Sequence, residues 1–133
     1  MKLFIPDAET IVASNKKVCN ESGNPHHCFD VGKIDSAIHS AFYPGFYPFA
    51  HGGIAKLAGA FAFYLCQAHA FQDGNKRTAS LAAIVFLNAN GFDIQYPVEE
   101  SCDAFSSIII NVASGQTNIE ELKNWFDKHK IKV

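Results

Sequence analysis

The chain reads His69-Ala70-Phe71-Gln72-Asp73-Gly74-Asn75-Lys76-Arg77-Thr78 between two apolar segments with helical spacing. This short stretch combines an imidazole, a carboxylate, a turn glycine, an amide and two cations. Where a helix begins, its first four backbone N–H groups lack partners within the helix, and the helix dipole favours negative charge. We therefore predict an oligophosphate site in which the backbone amides of Gly74, Asn75 and Lys76 bind the anion. The side chains of Lys76 and Arg77 would add positive charge.

The segments on either side of this stretch predict the two central helices of the fold. Residues 51–68 and 75–90 repeat apolar side chains at the spacing of a helix that buries one face. Gly91 is expected to end the second helix, because glycine readily adopts the left-handed conformation of a helix terminus. The positions expected to face inward are Ile54, Leu57, Ala58, Phe61, Leu65, Leu81, Ile84, Val85 and Leu87.

The outer segments predict further helices. A first helix is expected over residues 7–20, a short helical turn over 35–41, a helix over 98–113, and a last helix that begins at Asn118. Ile108-Ile109-Ile110 also fits a strand, but the spacing of the flanking apolar residues favours the helix. The sequence therefore predicts an all-α helical bundle.

Length and composition point to one domain over residues 1–133. The chain is 48% hydrophobic with a formal charge of −2, which suits a single core and argues against a nucleic-acid-binding surface. The N-terminus turns polar too early for a signal peptide, and no apolar run approaches a membrane span. The four cysteines lack Cys-x-x-Cys spacing, so we expect reduced thiols. A cytoplasmic protein without membrane contact is the prediction.

Three residues of the central stretch each have a functional and a structural interpretation. His69 either accepts a proton from an attacking hydroxyl or caps the preceding helix. Asp73 could ligate Mg²⁺ between phosphates or cap the following helix, and Asn75 could contact phosphate or cap. A base beside an anion site is what attack of a hydroxyl on phosphorus requires, which favours catalysis by His69. The other histidines lack such neighbours and are expected at the surface: His26, His27, His39, His51 and His129.

Lys76 and Arg77 are the cations of the stretch. In the first turn of a helix, each positive charge opposes the helix dipole by about 0.3–1 kcal/mol. An anionic ligand would reverse that sign, and a solvated charged face is the structural alternative. Gly74 permits positive φ and close approach of an anion, although a plain turn glycine has the same signature. Phe71 is expected to anchor the loop on the core.

The motif His-x-Phe-x-Asp-Gly-Asn-Lys-Arg at residues 69–77 resembles the signature of the Fic/Doc (Fido) superfamily, and specifically of its Doc (death-on-curing) branch. Fic enzymes typically carry glycine and a second arginine where this chain has Lys76 and Ser80. The resemblance extends upstream to residues 32–37, Gly-Lys-Ile-Asp-Ser-Ala, and downstream to residues 85–91.

The resemblance implies a Fido-type helical bundle and a Doc-like toxin of a toxin–antitoxin system. Such a toxin transfers the γ-phosphoryl group of ATP to a threonine or serine hydroxyl of a cytosolic protein, and elongation factor Tu is the target associated with Doc enzymes. His69 would be the base and Asp73 the Mg²⁺ ligand. Residues 42–49 would form a short flap, which could be a β-hairpin, beside the active-site loop. A plain aromatic cover over the core is the alternative for this segment.

Two other functions stay open from the sequence. Fic enzymes with the same core motif usually transfer AMP, and an idle nucleotide-binding interaction module would share the site. The bulk of Lys76 and the missing second arginine predict a different pose of the nucleotide. The resemblance to the Doc branch implies that this pose presents the γ-phosphate. Many Fic enzymes also carry an inhibitory Ser/Thr-x-x-x-Glu-Gly/Asn helix, whereas Thr117 to Glu121 is followed here by Leu122. We therefore expect an antitoxin protein that binds in trans.

Overall fold

A computed structural model of the protein describes residues 4–42, 52–95 and 103–133. Within these ranges the chain is a helical bundle with one small sheet, so the predicted all-α class is confirmed. None of the helices in the described ranges has both the length and the apolarity of a membrane-crossing segment. The elements are α1 (Ala8–Ser22), α2 (Val31–Phe42), α3 (Ile54–Ala68), α4 (Asn75–Ala89), β1 (Phe92–Ile94), α5 (Asp103–Ala113), α6 (Ile119–His129) and β2 (Lys130–Lys132).

The first helix begins and ends at residues that satisfy its terminal backbone groups. The Asp7 carboxylate accepts the backbone N–H of Thr10 at 2.8 Å, and this bond together with the Thr10 hydroxyl lowers the pKa of Asp7. At the other end, Gly23 adopts φ 73° and donates its N–H to the Asn20 carbonyl. The predicted first helix is confirmed and extends to Ser22.

Helix α3 is the centre of the bundle and packs on α2, α4, α5 and α6. Phe42, Phe61 and Phe86 meet edge to face in the core, with the Phe42 ring centroid 5.2 Å from each of the other two. Gly59 lets α6 approach closely, because a Cβ atom there would lie 2.8 Å from Cα of Lys123. A small residue at this crossing is therefore what sets the distance between the two backbones.

Three details of the sequence prediction are wrong. Helix α2 is longer than the expected short turn, because the Asp30 carboxylate accepts the N–H of Gly32 at 2.9 Å and starts the helix early. Val85 is exposed, and the neighbouring Phe86 occupies the core instead. His129 is buried rather than at the surface, and its ring stacks on Trp125 with centroids 4.1 Å apart.

The small sheet was not predicted from the sequence. Strands β1 and β2 pair antiparallel, with Phe92 opposite Lys132 and Ile94 opposite Lys130. Because β2 directly follows α6, this pairing joins the segment after α4 to the end of α6. This sheet is distinct from the predicted flap at 42–49, which lies outside the described residues except for Phe42 at the end of α2. Residues 108–110 lie in α5, which confirms the helical interpretation.

Candidate active site

The loop between α3 and α4 forms one wall of a cavity of about 330 Å³. All six residues that the sequence singled out as site residues line it, and α5 contributes Ala113. The structure therefore places the six predicted site residues around one cavity. The lining residues are Cys66, His69, Gln72, Asp73, Gly74, Asn75, Lys76, Arg77 and Ala113.

His69 follows the last residue of α3 in a left-handed conformation, with φ 48° and ψ 45°. It is the only non-glycine residue with positive φ in the described part of the chain. Such a conformation is uncommon outside glycine and is strained, although histidine tolerates it better than most residues. The backbone of His69 thus ends the helix while its exposed side chain lines the cavity. The position of the backbone at the helix end leaves the side chain available, and its role as a base stays a prediction.

The first half of the loop is held by a short extended segment that follows α1. Phe29 donates its backbone N–H to the Ala70 carbonyl at 2.8 Å, and Gln72 donates to the His27 carbonyl at 2.9 Å. Between these bonds, Phe71 is only 5% exposed, so its predicted role as an apolar anchor is confirmed. This pairing fixes the direction in which the chain leaves His69.

Asn75 closes the loop on itself. Its side-chain amide donates to the Phe71 carbonyl at 2.8 Å, and its side-chain oxygen accepts the Phe71 N–H at 3.1 Å. Both side-chain groups are therefore occupied by the loop backbone, which neither sequence interpretation of Asn75 included. A phosphate contact through Asn75 stays a prediction, and the backbone N–H is the group best placed to make it.

Gly74 begins α4 with φ 74° and ψ 17°, and no side chain in the described residues caps this helix. The first helical bond, from the N–H of Thr78 to the Gly74 carbonyl, measures 2.8 Å. The N–H groups before Thr78 are therefore left without a side-chain cap among the described residues. They form the positive end of the helix dipole, which favours an anion. Gly74 also packs tightly, since a Cβ atom there would lie 3.1–3.2 Å from side chains of α1.

Asp73 does not cap α4, so one of its two predicted roles is wrong. Its carboxylate is half-buried on the cavity wall and accepts no hydrogen bond from the residues that the structure describes. These residues also contain no cluster of three histidine, cysteine or acidic side chains that could hold a metal. Mg²⁺ fits this donor set, because it is commonly bound by one or two carboxylates together with substrate phosphates and water.

Arg77 reaches away from its own helix dipole. One of its Nη atoms donates to the Val18 carbonyl at 3.2 Å and also to the Ser22 hydroxyl, both at the carbonyl end of α1. Positive charge is favourable at that end of a helix, so the electrostatic conflict expected from the sequence is relieved within the fold. Arg77 also lines the cavity, and its guanidinium has further N–H groups that can donate to an anion.

Lys76 is exposed at the mouth of the cavity and lies close to Cys66. Burial raises the pKa of the Cys66 thiol, and the charge of Lys76 opposes this shift. Because burial is the larger effect, Cys66 is a neutral thiol and an apolar part of the cavity wall at neutral pH.

We predict that Arg77→Ala weakens both the fold and ATP binding. Losing the bonds to α1 should lower the free energy of unfolding by about 1 kcal/mol, and losing a charge-assisted phosphate contact should weaken ATP binding about tenfold. Urea denaturation and calorimetric titration measure the two effects. Ser22→Ala is the matched control, because it removes a contact of Arg77 but no charge, and it should leave ATP affinity unchanged. Unaltered ATP affinity in Arg77→Ala would exclude Arg77 from the nucleotide site.

The sequence analysis missed a buried polar group that supports this site. Asn15 on α1 is 1% exposed and donates to the Asp73 carbonyl at 2.7 Å and to the Thr78 hydroxyl at 3.1 Å. Cys19 adds a weaker contact to the same carbonyl at 3.6 Å. The available signal was the spacing of Asn15 with Ile11 and Cys19 on the apolar face of α1, where a polar side chain must find a buried partner.

The structure thus places an imidazole, two cations and the uncapped start of α4 around one cavity of a helical bundle. The model of the Fic/DOC family matches residues 6–87, which include α1, the loop and most of α4. This is more than half of the chain, so the protein belongs to the Fic/DOC family. Members of the family generally modify proteins, by AMP transfer or by phosphorylation, and typically use ATP with a divalent metal. A comparison with curated proteins found no match to the chain.

Proposed function

We propose that this protein is a Doc-like toxin that transfers the γ-phosphoryl group of ATP to a threonine or serine hydroxyl of a cytosolic protein. The observation that carries the proposal is the placement of His69, in a strained left-handed conformation, on the wall of a cavity that the uncapped start of α4 also lines. Strain of this kind persists where the surroundings enforce it, and it is common at active sites.

In this function, the loop binds the phosphates of ATP, and the imidazole of His69 activates the attacking hydroxyl. The amides of Asn75 and Lys76 and the side chains of Lys76 and Arg77 hold the phosphates and balance the negative charge of the transition state. His69 accepts the proton of the attacking hydroxyl as that oxygen bonds to phosphorus and ADP leaves. Phosphoryl transfer depends mainly on positioning and charge stabilisation, which this arrangement supplies.

Asp73 would hold Mg²⁺ at this site. The ion would supply positive charge that offsets the negative charge of the phosphates. The carboxylate of Asp73 would be the ligand. The backbone of Asp73 is held by the bond from Asn15 to its carbonyl, and Asp73 lines the cavity.

The environment of Lys76 and Ser80 supports phosphoryl rather than AMP transfer. Ser80 stands where Fic enzymes have their second arginine, and its hydroxyl donates back to the Lys76 carbonyl at 3.0 Å. This position therefore adds no positive charge to the cavity. With Lys76 in the place of the usual glycine, side-chain bulk stands where the phosphates approach the loop, which favours a nucleotide pose that presents the γ-phosphate.

The target and the regulator are part of the same proposal. The resemblance to Doc enzymes makes elongation factor Tu the first target to test, and modification of it would block translation. Residues 117–121 are the segment most similar to the inhibitory motif. Their glutamate, Glu121, has a structural role instead, because it accepts the N–H of Asn118 at 3.1 Å in a capping box at the start of α6. An antitoxin protein that binds in trans is therefore the regulator we propose.

Expression in a bacterium tests the toxin function. Induced alone, the wild-type protein should stop growth, and co-expression of the small gene beside its own should restore it. The His69→Ala variant is the control for toxicity that does not depend on catalysis. Normal growth of cells that contain soluble, nucleotide-binding protein would contradict the toxin function and favour an idle interaction module.

A further inference from the structure

The buried face of α1 carries a polar contact to the loop that packing alone does not require. Asn15 uses both hydrogens of its side-chain amide, one on the Asp73 carbonyl and one on the Thr78 hydroxyl. The first bond ends on the peptide group that joins Asp73 to Gly74, and the second ends on the first turn of α4. One side chain thus spans the point where the loop becomes a helix.

We infer that Asn15 is a positioning residue that sets the orientation of the Asp73–Gly74 peptide and thereby aims the Asp73 carboxylate and the first amides of α4 into the cavity. This inference rests on the proposed function, which supplies the ligand that these groups would bind. Asn15 itself is 1% exposed and does not line the cavity, so it acts only through the loop.

Three features of the packing make the Asn15 bond decisive for this peptide. Gly74 has positive φ, a conformation that glycine adopts easily but that is one of several open to it. Its Cα faces α1 so closely that a Cβ atom would lie 3.1 Å from the Asn15 amide nitrogen and 3.2 Å from Cys19 Sγ. The bond from Cys19 to the same carbonyl is long and weak. The Asn15 donor is therefore the strong polar contact from α1 that selects one orientation of a flexible peptide.

The alternative is that Asn15 serves only the stability of the core. Thr78→Val separates the two roles, because it removes the Asn15–Thr78 bond and keeps the bond to Asp73. Asn15→Leu keeps the branched shape of the side chain, although leucine is larger, and it removes both bonds. If Asn15 positions the loop, both variants lose stability, but only Asn15→Leu affects the groups that line the cavity.

The first measurement is hydrogen exchange, relative to the intrinsic rate, at the amide of residue 78 in the protein without nucleotide, because this amide makes the first helical bond of α4, to the Gly74 carbonyl. We expect faster exchange in Asn15→Leu than in the wild type, and wild-type exchange in Thr78→Val. The second measurement is calorimetric titration with Mg²⁺ and ATP, in which Asn15→Leu should bind about tenfold more weakly, the effect of one hydrogen bond. The pH dependence of transfer should be unchanged in that variant, since His69 is not touched.

The outcomes separate this inference from the proposed function. Unchanged exchange in Asn15→Leu, or equally faster exchange in both variants, overturns the positioning role whether or not ATP binds. Failure of the wild type to bind ATP overturns the proposed function, and the exchange comparison still decides the role of Asn15. If Asn15→Leu does not fold, Asn15→Ser, which is too short to reach the Asp73 carbonyl, is measured in the same two assays against Thr78→Val.

Discussion

His69→Ala is expected to lower the rate of transfer by about 10²–10⁴-fold, the range for loss of a general base. The fold should survive, because the His69 side chain is exposed and its backbone, which ends α3, is retained. The rate is measured by transfer of labelled phosphate to a target protein, and the fold by thermal unfolding.

His69→Asn is the matched control for backbone strain. Asparagine tolerates positive φ about as well as histidine but has no ring nitrogen that can accept a proton. We expect it to be as inactive as His69→Ala and at least as stable. If His69→Asn transfers phosphate at the wild-type rate, His69 is a helix-terminating residue and another group must be the base.

Gly59→Ala should cause the largest loss of stability among single-methyl additions to the core. The new methyl group would lie 2.8 Å from Cα of Lys123 and 3.0 Å from the Leu122 carbonyl oxygen, so the backbones of α3 and α6 must move apart. Overpacking of this kind costs about 1–3 kcal/mol, from which better helix propensity recovers up to about 1 kcal/mol. We therefore expect the free energy of unfolding, measured in urea, to fall by about 2 kcal/mol.

Gly32→Ala is the control for the effect of alanine in a helix. It lies near the exposed start of α2, where a Cβ atom would meet only the movable Asp30 side chain at 3.0 Å. The free energy of unfolding should change by less than about 1 kcal/mol. A similar loss in both variants would mean that the crossing of α3 and α6 is not the cause.

The sequence was sufficient for the elements with strong local signals. The N-caps Asp7 and Asn118 and the terminators Gly23 and Gly91 act within a few residues, so the corresponding helix ends could be predicted. The length of α2 could not, because Gly32 lowers helix propensity and the Asp30 cap that compensates for it is a weak signal. The strand pair depends on contacts between the segment after α4 and the end of the chain, which no local pattern shows.

The candidate site was predicted as a set of residues but not as a set of contacts. All its members lie in one short stretch, so their proximity follows from the chain itself. The direction of Arg77 toward Val18 and Ser22, and the bond from Asn15 to Asp73, join residues more than fifty positions apart. These contacts are visible only once α1 is packed against α4. The residues of α1 that support the site were therefore missed in the sequence.

The central claim is transfer of the γ-phosphoryl group of ATP to a protein hydroxyl. The most direct measurement incubates purified protein with elongation factor Tu, or with cytosolic extract, in Mg²⁺ and ATP labelled at either the α- or the γ-phosphate. The account predicts that label enters a target protein from γ-labelled ATP only, and that His69→Ala slows this transfer by about 10²–10⁴-fold. Incorporation from α-labelled ATP would instead identify an AMP transferase, and no incorporation from either would contradict the enzymatic function.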